Sequence, residues 1–234
     1  MRVSFVTAAG LLAMASLVLA ASPPPEKAER YPQVQSYLEL RVQEFGQISD
    51  ERKSELQRIA EYVQSRLRSH ETARLTFICT HNSRRSHMSQ IWAATAAGFY
   101  GVSGVETFSG GTEATAFNPR AIAAIERAGL KVRKIDDGRN PRYAIRDHDT
   151  DMPLICFSKA YGDAPNPKED FCAVMTCTQA DKSCPDVAGS SLRVCLFFDD
   201  PKVADDTPEE SAKYDDRCRQ ICREMLYLFS RVRD

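Results

Sequence analysis

The chain has 234 residues, 43% of them hydrophobic and 27% charged, enough to build one full core, and its composition points to neither disorder nor repeats. Lys and Arg number 31 against 32 Asp and Glu, a formal net charge of -1, so no global basic field recruits nucleic acid and any anion site must be local. Eight cysteines suggest a disulfide framework only in chains too short to bury a core, which this one is not.

Met1 and Arg2 lead into an apolar, Ala- and Leu-rich run from Val3 to Ala21, followed by Ser22 and three prolines. Residues 1–21 read as a secretory signal cut near Ala20. The alternative is an uncleaved amino-terminal anchor, since a run of this length just spans a bilayer, and only then would the protein meet a membrane. Either reading puts the catalytic part outside the cytoplasm, in the periplasm. Residues 22–73 read as a helical extension. Val34, Tyr37, Leu38, Val42 and Phe45, then Leu56, Ile59, Ala60, Val63 and Leu67, make two apolar stripes at helical spacing that meet at Gly46 to Asp50 and dock on the main domain.

The main domain, residues 74–234, opens with a buried strand at Leu75–Cys79. A Ser- and Arg-rich turn leads into a helix from about Ser86 to Phe99. A second strand at Val105–Phe108 ends in Ser109-Gly110-Gly111, and Asn118-Pro119 starts another helix running to Gly129. This β-α-β-α alternation predicts an α/β fold with a parallel sheet. Lys131 to Asp170 is less regular, with a turn at residues 147–151 and a loop at Pro165-Asn166-Pro167, and carries no evident chemistry. Phe171–Thr176 and Leu192–Phe198 read as two further strands around a polar loop. Thr207-Pro208-Glu209-Glu210 reads as a capping box before a last helix with Tyr214, Cys218, Ile221, Cys222, Met225, Phe229 and Val232 inward. Cys156, Cys172, Cys195, Cys218 and Cys222 fall in these apolar patterns and read as packed core thiols.

Cys79-Thr80-His81-Asn82-Ser83-Arg84-Arg85-Ser86 is a Cys-x5-Arg-Ser segment between a buried strand and a helix. A loop winding into a helix start turns successive N–H groups inward, and the helix dipole adds to the field, so Thr80, His81, Asn82, Ser83, Arg84 and Arg85 are the candidate cradle for a tetrahedral dianion. Arg85 would grip two oxygens at once. The same field favours a Cys79 thiolate, to which Ser86 would donate, and Asn82 suits a tight left-handed turn. In-line attack by sulfur needs an acid for the departing oxygen. Asp200, in Asp199-Asp200-Pro201 after a strand, is the candidate and Asp199 the alternative.

The strand-Cys-Thr-x-Asn-Ser-x-Arg-Ser-helix segment, Ser109-Gly-Gly, Asn118-Pro119-Arg120-Ala121-Ile122 and Asp199-Asp200-Pro201 resemble the low-molecular-weight protein tyrosine phosphatase superfamily. Cys177 and Cys184, spaced Cys-x6-Cys, make the chain most similar to its thioredoxin-coupled arsenate reductases. The resemblance implies a flavodoxin-like three-layer fold with a four-stranded parallel sheet. It also implies a cascade in which Cys79 attacks arsenate, Asp200 protonates the leaving hydroxide, Cys177 attacks Cys79 and Cys184 attacks Cys177. The resulting disulfide passes to an external dithiol reductant such as a thioredoxin-like protein, with no bound cofactor.

Two alternatives stand beside this reading: a phosphatase hydrolysing a phosphomonoester or phosphotyrosine through a phosphocysteine, with Tyr143, Phe157 or Tyr161 at its mouth, and a non-catalytic oxyanion-binding module. The alternative reading of Cys177 and Cys184 is a structural disulfide or two unrelated thiols. The chain departs from the family at His81, Arg84 and His87, the last read as a helix-surface residue. The reductases' potassium site finds Asn82 and Ser109 here, but Gln90 stands at its acid position.

Overall fold

The structure, a computed structural model, describes residues 29–149, 152–184 and 186–232. The signal or anchor expected at residues 1–21 lies outside them. Helix α1 spans Pro32–Val42, a 3-10 turn follows at Phe45–Gln47, and α2 spans Asp50–Arg68 with the Ser49 side chain accepting from the Arg52 N–H. The two expected stripes are the buried faces: Val34 and Leu38 on α1, and Leu56, Ile59, Ala60 and Val63 on α2.

Strands β1 (Ala73–Cys79) and β2 (Val105–Gly111) are joined by α3 (Arg85–Tyr100), and α4 (Pro119–Arg127) follows. Asn118 caps α4 by accepting from the Arg120 and Ala121 N–H groups, with Pro119 at the first position as its sequence predicts. Strands β3 (Lys131–Lys134), β4 (Tyr143–Arg146) and β5 (Leu154–Cys156) then form an antiparallel sheet that the irregular pattern of this region does not announce. Strand β6 (Phe171–Met175), helix α5 (Thr178–Ser183), strand β7 (Ser190–Cys195), a 3-10 turn at Pro201–Ala204 and α6 (Glu210–Ser230) complete the chain. Helix α5 lies inside the stretch read as a polar loop.

The main sheet is parallel in the order β2-β1-β6-β7, so β1 is central and the chain passes to opposite sides of it. The carboxyl end of β1 is therefore the switch point at which open α/β sheets bind ligands. Period-two alternation sorts the β6 side chains to two faces: Cys172 and Val174 join the large core, which includes residues of α1, α2, α3 and α6, and Phe171, Ala173 and Met175 join a smaller cluster with Cys79, Cys177 and Ala180.

Two local expectations are corrected. The capping box does not form: α6 begins at Glu210, whose carboxylate accepts from the Asp206 N–H and pairs with Arg120, while the Thr207 hydroxyl donates to the Ala204 carbonyl. Cys195 is not a core thiol. It is only partly buried and donates to Asp181 Oδ1 at 3.1 Å, whereas Cys156, Cys172, Cys218 and Cys222 are buried as expected.

Candidate active site

Cys79 ends the central strand and is 4% exposed. The loop after it is built by turning its carbonyls outward. Cys79 O accepts from the Thr112 N–H at 3.1 Å, Thr80 O from the Glu113 N–H at 2.9 Å and Ser83 O from the Asn118 N–H at 2.9 Å. His81 O accepts the hydroxyls of Ser158 and Thr115 at 3.0 and 3.1 Å. Peptide planes whose oxygens are held by bonds on the outside of the loop present their N–H groups to its inside. Gly111 permits this wrapping, because a methyl group there would stand 2.6 Å from Thr80 O and 2.8 Å from the Asn82 nitrogen.

A hydrogen-bond chain aims at the sulfur. Asn82 is fully buried with φ of 44°, the left-handed turn its residue type tolerates. Its Oδ1 accepts from the Lys159 backbone N–H at 2.9 Å, which fixes the amide orientation, so Nδ2 donates to Ser86 Oγ at 2.9 Å. The Ser86 hydroxyl, whose hydrogen is left free by that bond, lies 3.1 Å from Cys79 Sγ and can donate to a thiolate there. A thiolate is thus met by a donor and by the start of a helix.

Arg85, the first residue of α3, donates through Nη1 to Phe198 O at 2.9 Å and through Nη2 to Asp200 Oδ2 at 2.6 Å, leaving three of its five N–H groups for an oxyanion. Asp200 is therefore brought to the loop. Asp199 instead meets Arg217 at 3.2 Å with its side chain almost fully exposed. Arg84 turns away from the cradle: its Nε donates to the Tyr214 hydroxyl at 2.8 Å and its Nη2 pairs with Asp205 at 3.4 Å. Ser83 Oγ donates to Ala116 O, and His81 pairs with exposed Glu113, so these three residues offer the cradle only their backbone N–H groups.

Cys177 is brought close to the loop. It is 2% exposed, its sulfur lies 3.5 Å from Thr80 Oγ1, and it accepts from the Ala180 N–H at the start of α5. Cys184 is at the other end of that helix, where Arg193 Nη2 donates to its carbonyl at 3.1 Å and also pairs with Asp181.

His87 is fully buried, a correction to its reading as a surface residue. Its ring stacks on Phe117 at 4.2 Å, its Nδ1 is 3.2 Å from Ser109 Oγ, and desolvation, reinforced by the charge of Lys159, holds its pKa well below the usual histidine value. The residues at the expected potassium position do not fit that ion. Asn82 Oδ1 accepts from the Lys159 N–H, Ser109 Oγ lies 3.2 Å from His87 Nδ1, and Gln90, neutral where that site has an acid, donates to Thr107 O at 2.9 Å with its Oε1 facing the Cys156 thiol. Sequence reasoning missed Lys159. A lone lysine inside the apolar run Leu154 to Tyr161 was the available signal.

A cysteine at the switch point of a parallel sheet, inside a loop of inward N–H groups with an arginine at its end, defines a cysteine-based enzyme acting on a tetrahedral oxyanion. The comparisons with known proteins agree with that class. Over 156 residues the chain is 30% identical to an arsenate reductase of Bacillus licheniformis, covering 66% of this chain and 92% of that protein. It is 29% identical over 125 residues to arsenate reductase 2 of Staphylococcus epidermidis, covering 53% and 76%. A low-molecular-weight phosphotyrosine phosphatase of Vibrio cholerae O395 aligns over 68% of this chain and 95% of its own, at 13% identity and a TM-score of 0.45, too slight a likeness to add weight. No protein-family model matches. On its sequence relatives, the chain belongs to the arsenate reductase family.

Proposed function

We propose that this enzyme reduces arsenate through a three-cysteine relay. The Cys79 thiolate attacks arsenic while Asp200 supplies the proton with which a hydroxide leaves as water. Cys177 then attacks the Cys79 sulfur. The arsenic–sulfur bond breaks with its electron pair going to arsenic, which departs as arsenite, and a Cys79–Cys177 disulfide remains. Cys184 attacks Cys177, freeing Cys79, and the two electrons are restored by an external dithiol protein.

The observation that carries this reading is the position of Cys177, a buried thiol within 3.5 Å of the Thr80 hydroxyl, one residue from the nucleophile. Hydrolysis of a phosphocysteine by water consumes no second thiol. The last step asks α5 to unwind: Cys177 and Cys184 are the flanking residues of a six-residue helix, whose rise separates their Cα atoms by roughly 10 Å, whereas a disulfide needs about 4.4–6.8 Å. Of the aromatic residues that would hold a phosphotyrosine ring, Tyr143 packs edge-on to Phe117 and Phe157 lies under the Lys159 amine. The apolar run at residues 3–21 supports an exported enzyme, drawing on a dithiol donor of that compartment.

The test measures arsenite release from arsenate beside p-nitrophenol release from its phosphate ester, for wild type, Cys79→Ser, Cys177→Ser and Cys184→Ser. Cys79→Ser loses both activities. The other two variants are expected to lose arsenate turnover and keep ester hydrolysis; ester hydrolysis in a wild type that never reduces arsenate would instead make this a phosphatase.

A further inference from the structure

Lys159 is 4% exposed, yet among the described residues no carboxylate pairs with its ammonium group. Its Nζ donates to Phe157 O at 3.3 Å and stands 4.6 Å from the centroid of the Phe157 ring. Burying an unpaired ammonium costs several kcal/mol before such contacts offset it. A carbonyl and an aromatic face recover only part of that cost. Burial pulls the amine down to about 8, which leaves it mostly protonated at neutral pH.

The backbone of the same residue is clamped at the catalytic loop. Its N–H donates to Asn82 Oδ1 at 2.9 Å, and its C=O accepts from the Gly111 N–H at 2.9 Å. From the lysine N–H, the chain to the nucleophile runs through Asn82 and Ser86 in steps of 2.9, 2.9 and 3.1 Å. The side chain lies close enough to the start of α3 for its charge to be felt by His87, the residue after Ser86, and it is felt by Cys156 as well. Gln90, Ser109 and Asn82, the positions that failed the potassium fit, belong to this same buried group.

We propose that the Lys159 ammonium is a built-in cation beneath the oxyanion loop, a positioning residue that makes an exchangeable monovalent ion unnecessary. It holds a fixed positive charge below the place where the Cys79 thiolate and a bound oxyanion concentrate negative charge. Through residues 157–159 it also keeps Asn82 and Ser86 aligned on the sulfur. A free ion could leave its site, whereas this charge is covalently attached and stays when the salt changes. The inference rests on Cys79 being the nucleophile and does not depend on which oxyanion is turned over.

The experiment follows alkylation of Cys79 by iodoacetamide at pH 7, resolved by peptide mass spectrometry, together with p-nitrophenyl phosphate turnover, in potassium, sodium or tetramethylammonium chloride at equal ionic strength. The wild type is expected to give the same rates in all three salts within about twofold. Lys159→Met, which keeps the apolar stem and removes the charge, is expected to slow Cys79 alkylation about tenfold, and Lys159→Arg to stay near wild type. A wild type stimulated by potassium, or a folded Lys159→Met alkylated at the wild-type rate, overturns the proposal. Should Lys159→Met fail to fold, the wild-type salt series decides alone: flat rates support the built-in cation and a potassium requirement refutes it. If wild-type Cys79 reacts no faster than buried Cys156, the nucleophile assignment itself is wrong, an outcome distinct from either result for the lysine.

Discussion

Replacing Asn82 separates the three things this residue does. Asn82→Ala removes a hydrogen bond from the Lys159 N–H and another to Ser86 Oγ, both in a fully buried environment, and forces alanine into a φ of 44°. Stranding the Lys159 N–H costs about 1–3 kcal/mol, with less for Ser86, which keeps its partner Cys79. The left-handed backbone adds about 1–2 kcal/mol. A total near 3 kcal/mol is a large share of a usual stability of about 5–15 kcal/mol, and urea unfolding measures it. Asn82→Gly relieves the backbone cost but not the lost hydrogen bonds, so it should fall between Asn82→Ala and wild type. Asn82→Asp keeps an acceptor for Lys159 but cannot donate to Ser86, so its stability should exceed that of Asn82→Ala while iodoacetamide alkylation of Cys79 slows sharply. An Asn82→Ala protein within about 0.5 kcal/mol of wild type, below the cost of one stranded buried donor, would refute the reasoning.

Arg84 and Arg85 should divide cleanly. Arg84→Met loses its bonds to Tyr214 and Asp205 and should destabilise the fold by about 1–2 kcal/mol in urea while leaving the KM for p-nitrophenyl phosphate unchanged. Arg85→Met, in steady-state kinetics, should raise KM and depress kcat together. His87 sets a pH dependence. The folded state holds it neutral well below its ordinary value, whereas the unfolded chain protonates it near pH 6.5. Its contribution is therefore fully present above pH 6.5 and is lost on acidification, with a slope of up to about 1.4 kcal/mol per pH unit. Urea midpoints between pH 5 and 7 should show that slope, and His87→Phe, which retains the stack on Phe117, should flatten it.

The parts of the site that are local in sequence were legible. A strand, a Cys-x5-Arg-Ser turn and a helix start follow one another between Ala73 and Tyr100, and their geometry is set by bonds within and beside that stretch. The proline and asparagine at the start of α4 work in the same short-range way. What escaped depends on distant partners. Strands β3, β4 and β5 have four, four and three residues, too few for a period to register, and β3 reads as Lys-Val-Arg-Lys because it is largely exposed. The α6 start was misplaced because the Glu210 carboxylate is engaged by Arg120 and the Asp206 N–H. His87 looked like a surface residue because histidine usually is one. In α3, however, every residue from Ser86 to Ala93 is buried, and the small Ala93, Ala96 and Ala97 were the hint that this helix has little solvent face.

The chain's early helices depend on its last one. Glu44 pairs with Arg219, Arg52 with Glu224 and Gln47 with Arg223, contacts that span 172 to 176 positions of sequence. Arg52 also stacks over Phe198 at 4.6 Å, and the Phe198 carbonyl is the one that anchors Arg85. During synthesis, α1 and α2 therefore emerge with their apolar stripes uncovered and must wait for α6 before they can settle. The nascent protein stays open, and without a finished arginine clamp, until α6 has been translated.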